Sequence, residues 1–180
     1  MFLNPDYFII STTPLKTHSS VIVTLGLKNV VMGSPFKNQM RGINYKHLMH
    51  GGSTPKLINL NLFTLTHSVR PQFAVLDGFV GAEGHGPNEC EPVDHKVAAA
   101  GPDVIAVDRM GTELMGVPWE RIGYLQWCSL AGLGQGERDK IKIIGHDPKD
   151  LAETYKLSRN VEYLYEWNRK IDWKLLFGNQ

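Results

Sequence analysis

Residues 73–87 read FAVLDGFVGAEGHGP, an apolar run that closes at Asp77 and opens onto a glycine-rich segment. A short run of β-prone apolar residues between turn signals predicts a buried strand over Gln72–Leu76. In α/β proteins the loop after a strand's carboxyl end often carries reactive groups, here Asp77, Glu83 and His85. This stretch therefore predicts an α/β fold with a site at one edge of its sheet.

The segments on either side alternate between helix and strand patterns. The predicted elements are a strand at Tyr7–Ile10, a helix at Val21–Met32, a helix at Lys56–Val69, a strand at Val97–Ala100, a helix at Asp103–Met115, one or two helices within Trp119–Leu133 and a strand at Ile141–Ile144. Ser34–Asn44 should be a loop, and the tail from Asp147 a docked helix or coil. This order predicts a single α/β domain over residues 1–180, with a mixed or mainly parallel sheet flanked by helices.

Composition excludes several classes of protein. Hydrophobic residues make up 42% and charged residues 21% of the 180 residues, which excludes a largely disordered chain. Formal net charge is +1, from 19 Lys and Arg against 18 Asp and Glu, so no overall field attracts nucleic acid or an anionic membrane. We therefore expect no nucleic-acid partner and no membrane, and any charged ligand would be held locally.

The cysteines and the hydropathy pattern indicate a cytoplasmic setting. Cys90 and Cys128 are the two cysteines, and they lack a metal-binding spacing, so this chain alone cannot ligate an iron–sulfur cluster or a cysteine-rich zinc site. A spanning helix needs roughly 18 to 20 apolar residues, and no run approaches that length. Met1–Asp6 has no basic region ahead of a long apolar run, so we predict no export signal.

Basic residues follow the predicted first strand and lie near the end of the predicted first helix. Lys16, Thr17 and His18 stand where a strand's carboxyl end meets the next helix, and could hold a carboxylate or phosphate there. The alternative is a turn with a solvated Lys and a capping Thr. Lys28 and Asn29 could line the same place, although a Lys near a helix C-terminus is also what the helix dipole favours.

Carboxylates and histidines supply the candidate chemistry. His85 with Asp77 in reach could act as a general base or a metal ligand, unless Asp77 only caps backbone amides in a turn. Asp108 interrupts an apolar helical stretch and could face the site, or instead pair with a neighbouring arginine. His47 and His50 have a helical spacing that could share a metal, but exposed histidines in a loop are the commoner case.

Several short motifs occur in one order over residues 7–145. They are Lys16-Thr17-His18, Leu27-Lys28-Asn29 before Gly33, Asp77-Gly78, Gly84-His85-Gly86-Pro87, Pro102-Asp103, Ala106-Val107-Asp108 and Gly132-Leu133-Gly134. No single motif is specific, but the ordered set resembles the family known as domain of unknown function 362.

The resemblance implies an α/β domain and an association with redox chemistry, without naming a reaction. It places Lys16, His18, Lys28, Asn29, Asp77 and Asp108 on the family's recurring motif positions. Members are generally longer, with a further α/β portion ahead of the Lys-Thr-His region, and those with a cluster carry several cysteines. The chain thus resembles a C-terminal part or a shortened member.

These observations lead to one main hypothesis and two alternatives. In the main hypothesis the chain is a redox-associated enzyme or enzyme part, with His18, His85 and Asp77 as catalytic groups. Its substrate-binding residues would be Lys16, Thr17, Lys28, Asn29 and Asp108. A small anionic molecule or a divalent metal would be its ligand, and a redox protein its partner. The alternatives are a non-catalytic anion- or metal-binding or partner-docking module, and an inactive remnant.

Overall fold

The computed structural model describes residues 2–50 and 54–168. Along the chain its strands are β1 (Ile10–His18), β2 (Ile22–Thr24), β3 (Lys37–Asn38), β4 (Ile43–Asn44), β5 (Phe73–His85), β6 (Glu89–Val93) and β7 (Val97–Gly101). Its helices are α1 (Gly26–Val31), α2 (Tyr45–His50), α3 (Pro55–Thr66), α4 (Val104–Leu114), α5 (Gly123–Leu130) and α6 (Val161–Leu164). Short 3-10 turns occur at Gln39–Arg41, Trp119–Arg121, Arg138–Lys140, Pro148–Leu151 and Tyr165–Asn168.

Strand β5 is the centre of the main sheet, which has five strands within the described residues. On one side β1 runs parallel to β5, with Ile10 opposite Phe73 and Pro14 opposite Asp77, and β2 pairs antiparallel with β1. On the other side β7 and then β6 pair antiparallel with β5. The sequence-based prediction of an α/β fold with a mixed sheet flanked by helices is confirmed.

The core lies against one face of this sheet. Leu15 of β1 and Leu76 of β5 are fully buried where α1 and α4 pack against the strands. Burying a leucine side chain contributes roughly 2 kcal/mol, so this face anchors both strands. Alternate residues of a strand point to opposite faces, and Ile10 and Phe79 on the other face are 55% and 63% exposed. Lys16 and His18 alternate with Leu15 in the same way.

The first strand differs from the prediction of Tyr7–Ile10. β1 begins at Ile10 and continues to His18, so the Lys16-Thr17-His18 motif forms the end of the strand and does not follow it. The polar residues Ser11, Thr13 and Thr17 are buried on the core face, which hid the strand from a search for apolar runs. Pro14 is tolerated because β2 pairs with β1 only from Lys16 onward.

The predicted helix over Val21–Met32 is two elements. Its first residues form β2, and the helix α1 begins only at Gly26. Val, Ile and Thr favour strands because their branched side chains pack well on a pleated surface. Because β1 is there to pair with them, these residues form a strand and not the first turn of a helix. The apolar spacing over Val21–Met32 therefore predicted the wrong conformation for its first turn.

The predicted glycine-rich loop is part of a long strand. β5 continues through Gly81 and Gly84 to His85, and β6 pairs with it from Gly81 to His85. Gly81 is required because a Cβ atom there would collide with the ring of Tyr155. These glycines allow another segment to pack closely against the strand. A sequence pattern does not distinguish glycines of this kind from the glycines of a loop.

Other predictions divide between right and wrong. The helix predicted at Lys56–Val69 is α3, and the one at Asp103–Met115 is α4, whose Asp103 caps the amides of Ile105 and Ala106. The strand predicted at Ile141–Ile144 is wrong: this segment is irregular, with Ile144 89% exposed. None of the strands in the described residues pairs with this segment, and β-propensity alone does not form a strand. Ser34–Asn44 contains the small hairpin of β3 and β4 as well as loop.

The tail from Asp147 packs as short turns and one short helix. Tyr155 is almost fully buried in the main core, and its hydroxyl lies 3.1 Å from Nδ1 of His95. Leu164 and Trp167 are also buried. The prediction of a docked tail is correct for Pro148–Asn168, and its remainder, residues 169–180, lies outside the described part.

Candidate functional site

A small pocket lies at the carboxyl end of β1. Its volume is about 180 Å³, and its charged and polar lining includes Lys16, His18, Lys28, Asn29, Lys46 and His50. Pro87, at the turn between β5 and β6, closes one side. Pockets for drug-sized ligands measure about 300 to 1,000 Å³, so this one suits a molecule of few atoms and is too small for a dinucleotide.

The local sequence explains how β1 and α1 reach this pocket. Lys16 pairs across strands with Thr24 of β2, and the chain then turns into α1. The Thr24 hydroxyl accepts a hydrogen bond of 3.2 Å from the ammonium of Lys28, four residues later. Asn29 is tied back to β1, since its amide donates to the Ser11 hydroxyl and the Thr12 carbonyl. Lys28 is thus held by β2 and Asn29 by β1.

Lys28 is the most buried charged group in the pocket lining, with 4% of its surface exposed. Burial, together with the smaller effects of the positive charges of Lys46 and Lys16, lowers the pKa of Lys28 to about 7. The pKa of Lys16 is also lowered, mainly by burial. No Asp or Glu from the described part of the chain lines the pocket, so these positive charges are not neutralised there.

His18 is neutral and its tautomer is defined. Nδ1 of His18 accepts a hydrogen bond of 3.0 Å from the Ser20 backbone N–H, so the ring proton of the neutral form sits on Nε2. Burial, together with the smaller effects of Lys28, His50, Lys16 and Lys46, lowers the pKa of His18 to about 2. His18 therefore presents an N–H donor at Nε2 and not a basic nitrogen.

His50 has the opposite tautomer. Its Nδ1 lies 2.9 Å from the Lys46 carbonyl oxygen, which can only accept, so Nδ1 carries the proton and Nε2 carries the lone pair. Burial lowers the pKa of His50, which favours the neutral ring. The ring centroids of His18 and His50 are 6.2 Å apart. The pocket thus holds one imidazole donor and one imidazole acceptor.

The structure brings Lys16, His18, Lys28 and Asn29 together, but places Thr17 and Asp108 elsewhere. Thr17 is fully buried, and its hydroxyl donates 2.8 Å to the Gly84 carbonyl, which ties β1 to β5. Asp108 is also fully buried, and its two oxygens accept from the backbone N–H groups of Gly26 and Leu27. Burial raises the pKa of Asp108 to about 7. Both residues position the elements that carry the pocket, and neither lines it.

Asp77 and His85 also lie outside the pocket lining. Asp77 is exposed within β5, and its carboxylate accepts 2.9 Å from the Phe79 N–H, which is the capping alternative considered from the sequence. His85 faces a separate depression and lies 2.6 Å from the Ser158 hydroxyl. Since that hydroxyl donates to Asn160, it accepts from Nδ1 of His85. The predicted pairing of His85 with Asp77 is not formed.

Sequence reasoning missed Lys46 and His50 as parts of this site. Both belong to α2, and their spacing of four residues places them on one side of that helix. The sequence offered His47 with His50 as a metal pair, with exposed loop histidines as the commoner case; His47 is exposed and does not line the pocket. Nothing in the local pattern could show that Lys46 and His50 reach the pocket at the end of β1, because that proximity is set by the tertiary fold.

The donor set does not suit a divalent metal. Cations prefer several carboxylate, thiolate or imidazole lone pairs, whereas the pocket presents ammonium groups, a ring N–H and the single imidazole lone pair of His50. In residues 2–50 and 54–168, no cluster of at least three His, Cys, Asp or Glu side chains is arranged to hold a metal. The chemistry of the lining therefore favours an anion over a metal ion.

The fold and the pocket together define the class of protein: this is an α/β protein with a mixed sheet and a small cationic pocket at the end of a parallel strand. The sequence model of the family called Domain of unknown function (DUF362) matches residues 3–113, more than half of the chain, so this chain belongs to that family. The predicted resemblance is confirmed.

One curated relative comes from Synechocystis sp., where it is described as a thylakoid-associated protein. It is 29% identical over 149 residues, which cover 83% of this chain and 45% of the relative. The chain therefore matches less than half the length of that protein. No solved structure matches the chain.

None of the helices in the described ranges is both long and apolar enough to cross a bilayer.

Proposed function

We propose that the pocket at the end of β1 binds a small anionic molecule that carries a carboxylate or phosphate group. The observation that supports this most strongly is the convergence of Lys16, Lys28 and Lys46 on about 180 Å³, with no carboxylate from the described residues in the lining. Like charges placed together raise the free energy of the ligand-free state, and an anion relieves that cost. The His18 Nε2–H adds a neutral donor to the anion's oxygens.

Inorganic phosphate is the direct probe of this proposal. Phosphate should raise the thermal unfolding midpoint of the wild-type protein more than chloride at equal ionic strength, because a ligand of the folded state stabilises it by mass action. Replacing Lys16 or Lys46 with Met should remove most of that difference. Lys142→Met is the matched control, since Lys142 is exposed and does not line the pocket. Equal phosphate effects in all of these proteins would contradict the proposal.

The enzyme interpretation is part of the proposal, with the non-catalytic binding module as its alternative. The tautomers of His18 and His50 and the lowered pKa of Lys28 support catalysis, because they place a donor, an acceptor and an amine around one ligand. A binding module would need the lysines alone. Substitution of His50 separates the two, since it should leave phosphate affinity unchanged in both cases but remove a proton acceptor, and hence slow the reaction, only in an enzyme.

A redox role is proposed only through a partner. The family resemblance suggests it, but the chain has two cysteines, Cys90 and Cys128, and both are free thiols. A cluster needs more cysteine ligands than this chain has. If the role holds, this chain supplies the anion pocket and another protein supplies the redox centre. A cytoplasmic setting stays a proposal as well, and the thylakoid association of the relative is an equally direct starting point for localisation experiments.

A further inference from the structure

We propose that Lys28 is a nucleophile that forms an imine with a small carbonyl compound bearing an anionic group, with a 2-oxo acid as the simplest case. The inference rests on the anion pocket proposed above and deepens it by naming the class of substrate and the reacting atom. Its basis is the position of the Lys28 amine, buried between positively charged neighbours and facing a pocket that contains both an imidazole donor and an imidazole acceptor.

Burial without a carboxylate partner is the first observation. Buried lysines in proteins are usually paired with an acid, because an isolated ammonium loses its hydration. Lys28 is 4% exposed, and its ammonium hydrogen-bonds to the neutral hydroxyl of Thr24. None of the salt bridges formed by the described residues includes Lys28. This environment favours the neutral amine, whose lone pair is the nucleophile in imine formation.

Neighbouring charges act in the same direction. Desolvation, then Lys46 and then Lys16, lower the pKa of Lys28 to about 7. About half of the amine is then neutral at physiological pH, whereas an ordinary lysine is almost fully protonated. The cations that favour the neutral amine also attract the anionic group of the substrate. A molecule with a carbonyl next to a carboxylate would place both of its functional groups within this small pocket.

The two imidazoles supply the proton transfers that the reaction needs. The Lys28 nitrogen attacks the carbonyl carbon, a C–N bond forms, and the electron pair of the C=O bond moves to oxygen. His50 Nε2, which carries a lone pair, accepts the proton lost by the nitrogen. The Nε2–H of His18 hydrogen-bonds to the oxygen. The His50 imidazolium passes this proton to the oxygen, which gives a neutral carbinolamine. His50 then transfers the second proton of the nitrogen to the same oxygen, which leaves as water as the C–O bond breaks and the nitrogen lone pair completes the C=N bond. No oxidant or reductant is consumed.

Reductive trapping tests the inference. The full chain is incubated with pyruvate and sodium cyanoborohydride, which reduces an imine to a stable secondary amine, and the product is analysed by intact mass and peptide mapping. We expect one pyruvate-derived group per chain, attached at Lys28. Acetone, a neutral carbonyl of similar size, should label Lys28 at least about tenfold less, because it cannot use the contacts with the cationic side chains.

Variants separate a specific adduct from general amine modification. Lys28→Met should abolish the mapped adduct, and Lys142→Met should leave it unchanged. Lys16→Met should reduce its rate more with pyruvate than with acetone, because Lys16 favours the neutral amine for both compounds but attracts only the anion. Adducts spread over exposed lysines, or an unchanged total in Lys28→Met, would overturn the inference. Because the site is mapped in the wild-type protein, the conclusion does not depend on a variant that folds poorly.

The thermal unfolding midpoint measured with pyruvate, in the absence of reductant, separates the imine proposal from the anion-binding proposal on which it rests. If pyruvate and phosphate both raise the unfolding midpoint but no adduct forms at Lys28, the imine is wrong and the anion pocket stands. If neither anion raises the midpoint and no adduct forms, both proposals are wrong. An adduct at Lys28 together with stabilisation by both anions supports both.

Discussion

The carboxylate of Asp108 in α4 caps the first turn of α1, accepting hydrogen bonds of 2.8 Å from the Gly26 N–H and 3.0 Å from the Leu27 N–H. The buried carboxylate of Asp108 therefore binds the two backbone N–H groups that immediately precede Lys28 in α1. The amides at a helix start have no partner within the helix, and here another helix supplies one. The position of the pocket lysine is therefore set by packing between α1 and α4.

Removing this cap should destabilise the fold. Asp108→Ala leaves the buried N–H groups of Gly26 and Leu27 without an acceptor, which should cost about 2 kcal/mol or more in the free energy of unfolding. Asp108→Asn keeps one acceptor oxygen and should cost less. Urea denaturation measures both, with the exposed Glu120→Ala as a control that should change stability by less than about 0.5 kcal/mol. A neutral effect of Asp108→Ala would contradict the capping role.

The pKa of His18 predicts an acid-sensitive contribution to stability. It is about 2 in the folded protein and 6.5 in the reference state, so the unfolded chain binds a proton first as the pH falls. The contribution of neutral His18 to the free energy of unfolding is fully present above pH 6.5. Below pH 6.5 the free energy of unfolding decreases by up to about 1.4 kcal/mol for each pH unit. Asp108 opposes this trend, since its raised pKa makes stability increase as the pH falls from about 7.

Comparing the pH dependence of stability in the wild type and in His18→Asn separates the effect of His18 from that of Asp108, which is present in both proteins. The Asn side-chain oxygen can still accept from the Ser20 N–H, but it does not titrate. The stability of the wild type relative to this variant should therefore decrease steadily below pH 6.5 in urea titrations. A difference that is independent of pH between 6.5 and 4.5 would show that His18 is not held neutral.

Lys28 should lower stability at neutral pH. Its pKa is about 7 in the folded protein against 10.5 in the reference state, so the unfolded chain binds the extra proton between these values. Stability should rise with pH across this window by up to about 1.4 kcal/mol per unit, and the penalty should be complete below pH 7. Lys28→Met removes the charge at similar volume and should be more stable than the wild type at pH 7, by an amount that shrinks towards pH 10.

Lys142→Met provides the comparison for this experiment, because Lys142 is exposed and its replacement should leave the pH profile of unfolding unchanged. A Lys28→Met protein less stable than the wild type at pH 7 would mean that the ammonium is stabilised by its surroundings.

Gly81 should not tolerate a side chain. A Cβ atom there would overlap the hydroxyl and ring of Tyr155, whose position is fixed by burial and by its contact with His95. We expect Gly81→Ala to lower the free energy of unfolding by about 1 to 3 kcal/mol. In a Tyr155→Phe background the closest atom is gone, so the same substitution should cost less. Additive effects in this double-mutant cycle would exclude the steric explanation.

Local patterns predicted much of the fold. The apolar spacing and caps of α3 and α4 are complete within their own segments, where Thr54 and Asp103 are the capping residues. The run Phe73–Leu76 was enough to predict a buried strand. Predictions failed where another segment determined the outcome: β1 pairs with both β2 and β5, which made a strand of Val23 and Thr24, while none of the described strands pairs with Ile141–Ile144.

The candidate site divides in the same way. Residue types and order along the chain offered Lys16, His18, Lys28 and Asn29 as candidates, but they offered Thr17, Asp77, His85 and Asp108 equally, and these four lie outside the pocket lining. The approach of Lys46 and His50 to the end of β1 was not visible, and neither were the tautomers of His18 and His50, which depend on hydrogen bonds to Ser20 and Lys46. Charge and residue order belong to the chain itself. Proximity, burial and the resulting pKa of Lys28 arise only when distant segments pack together and exclude water.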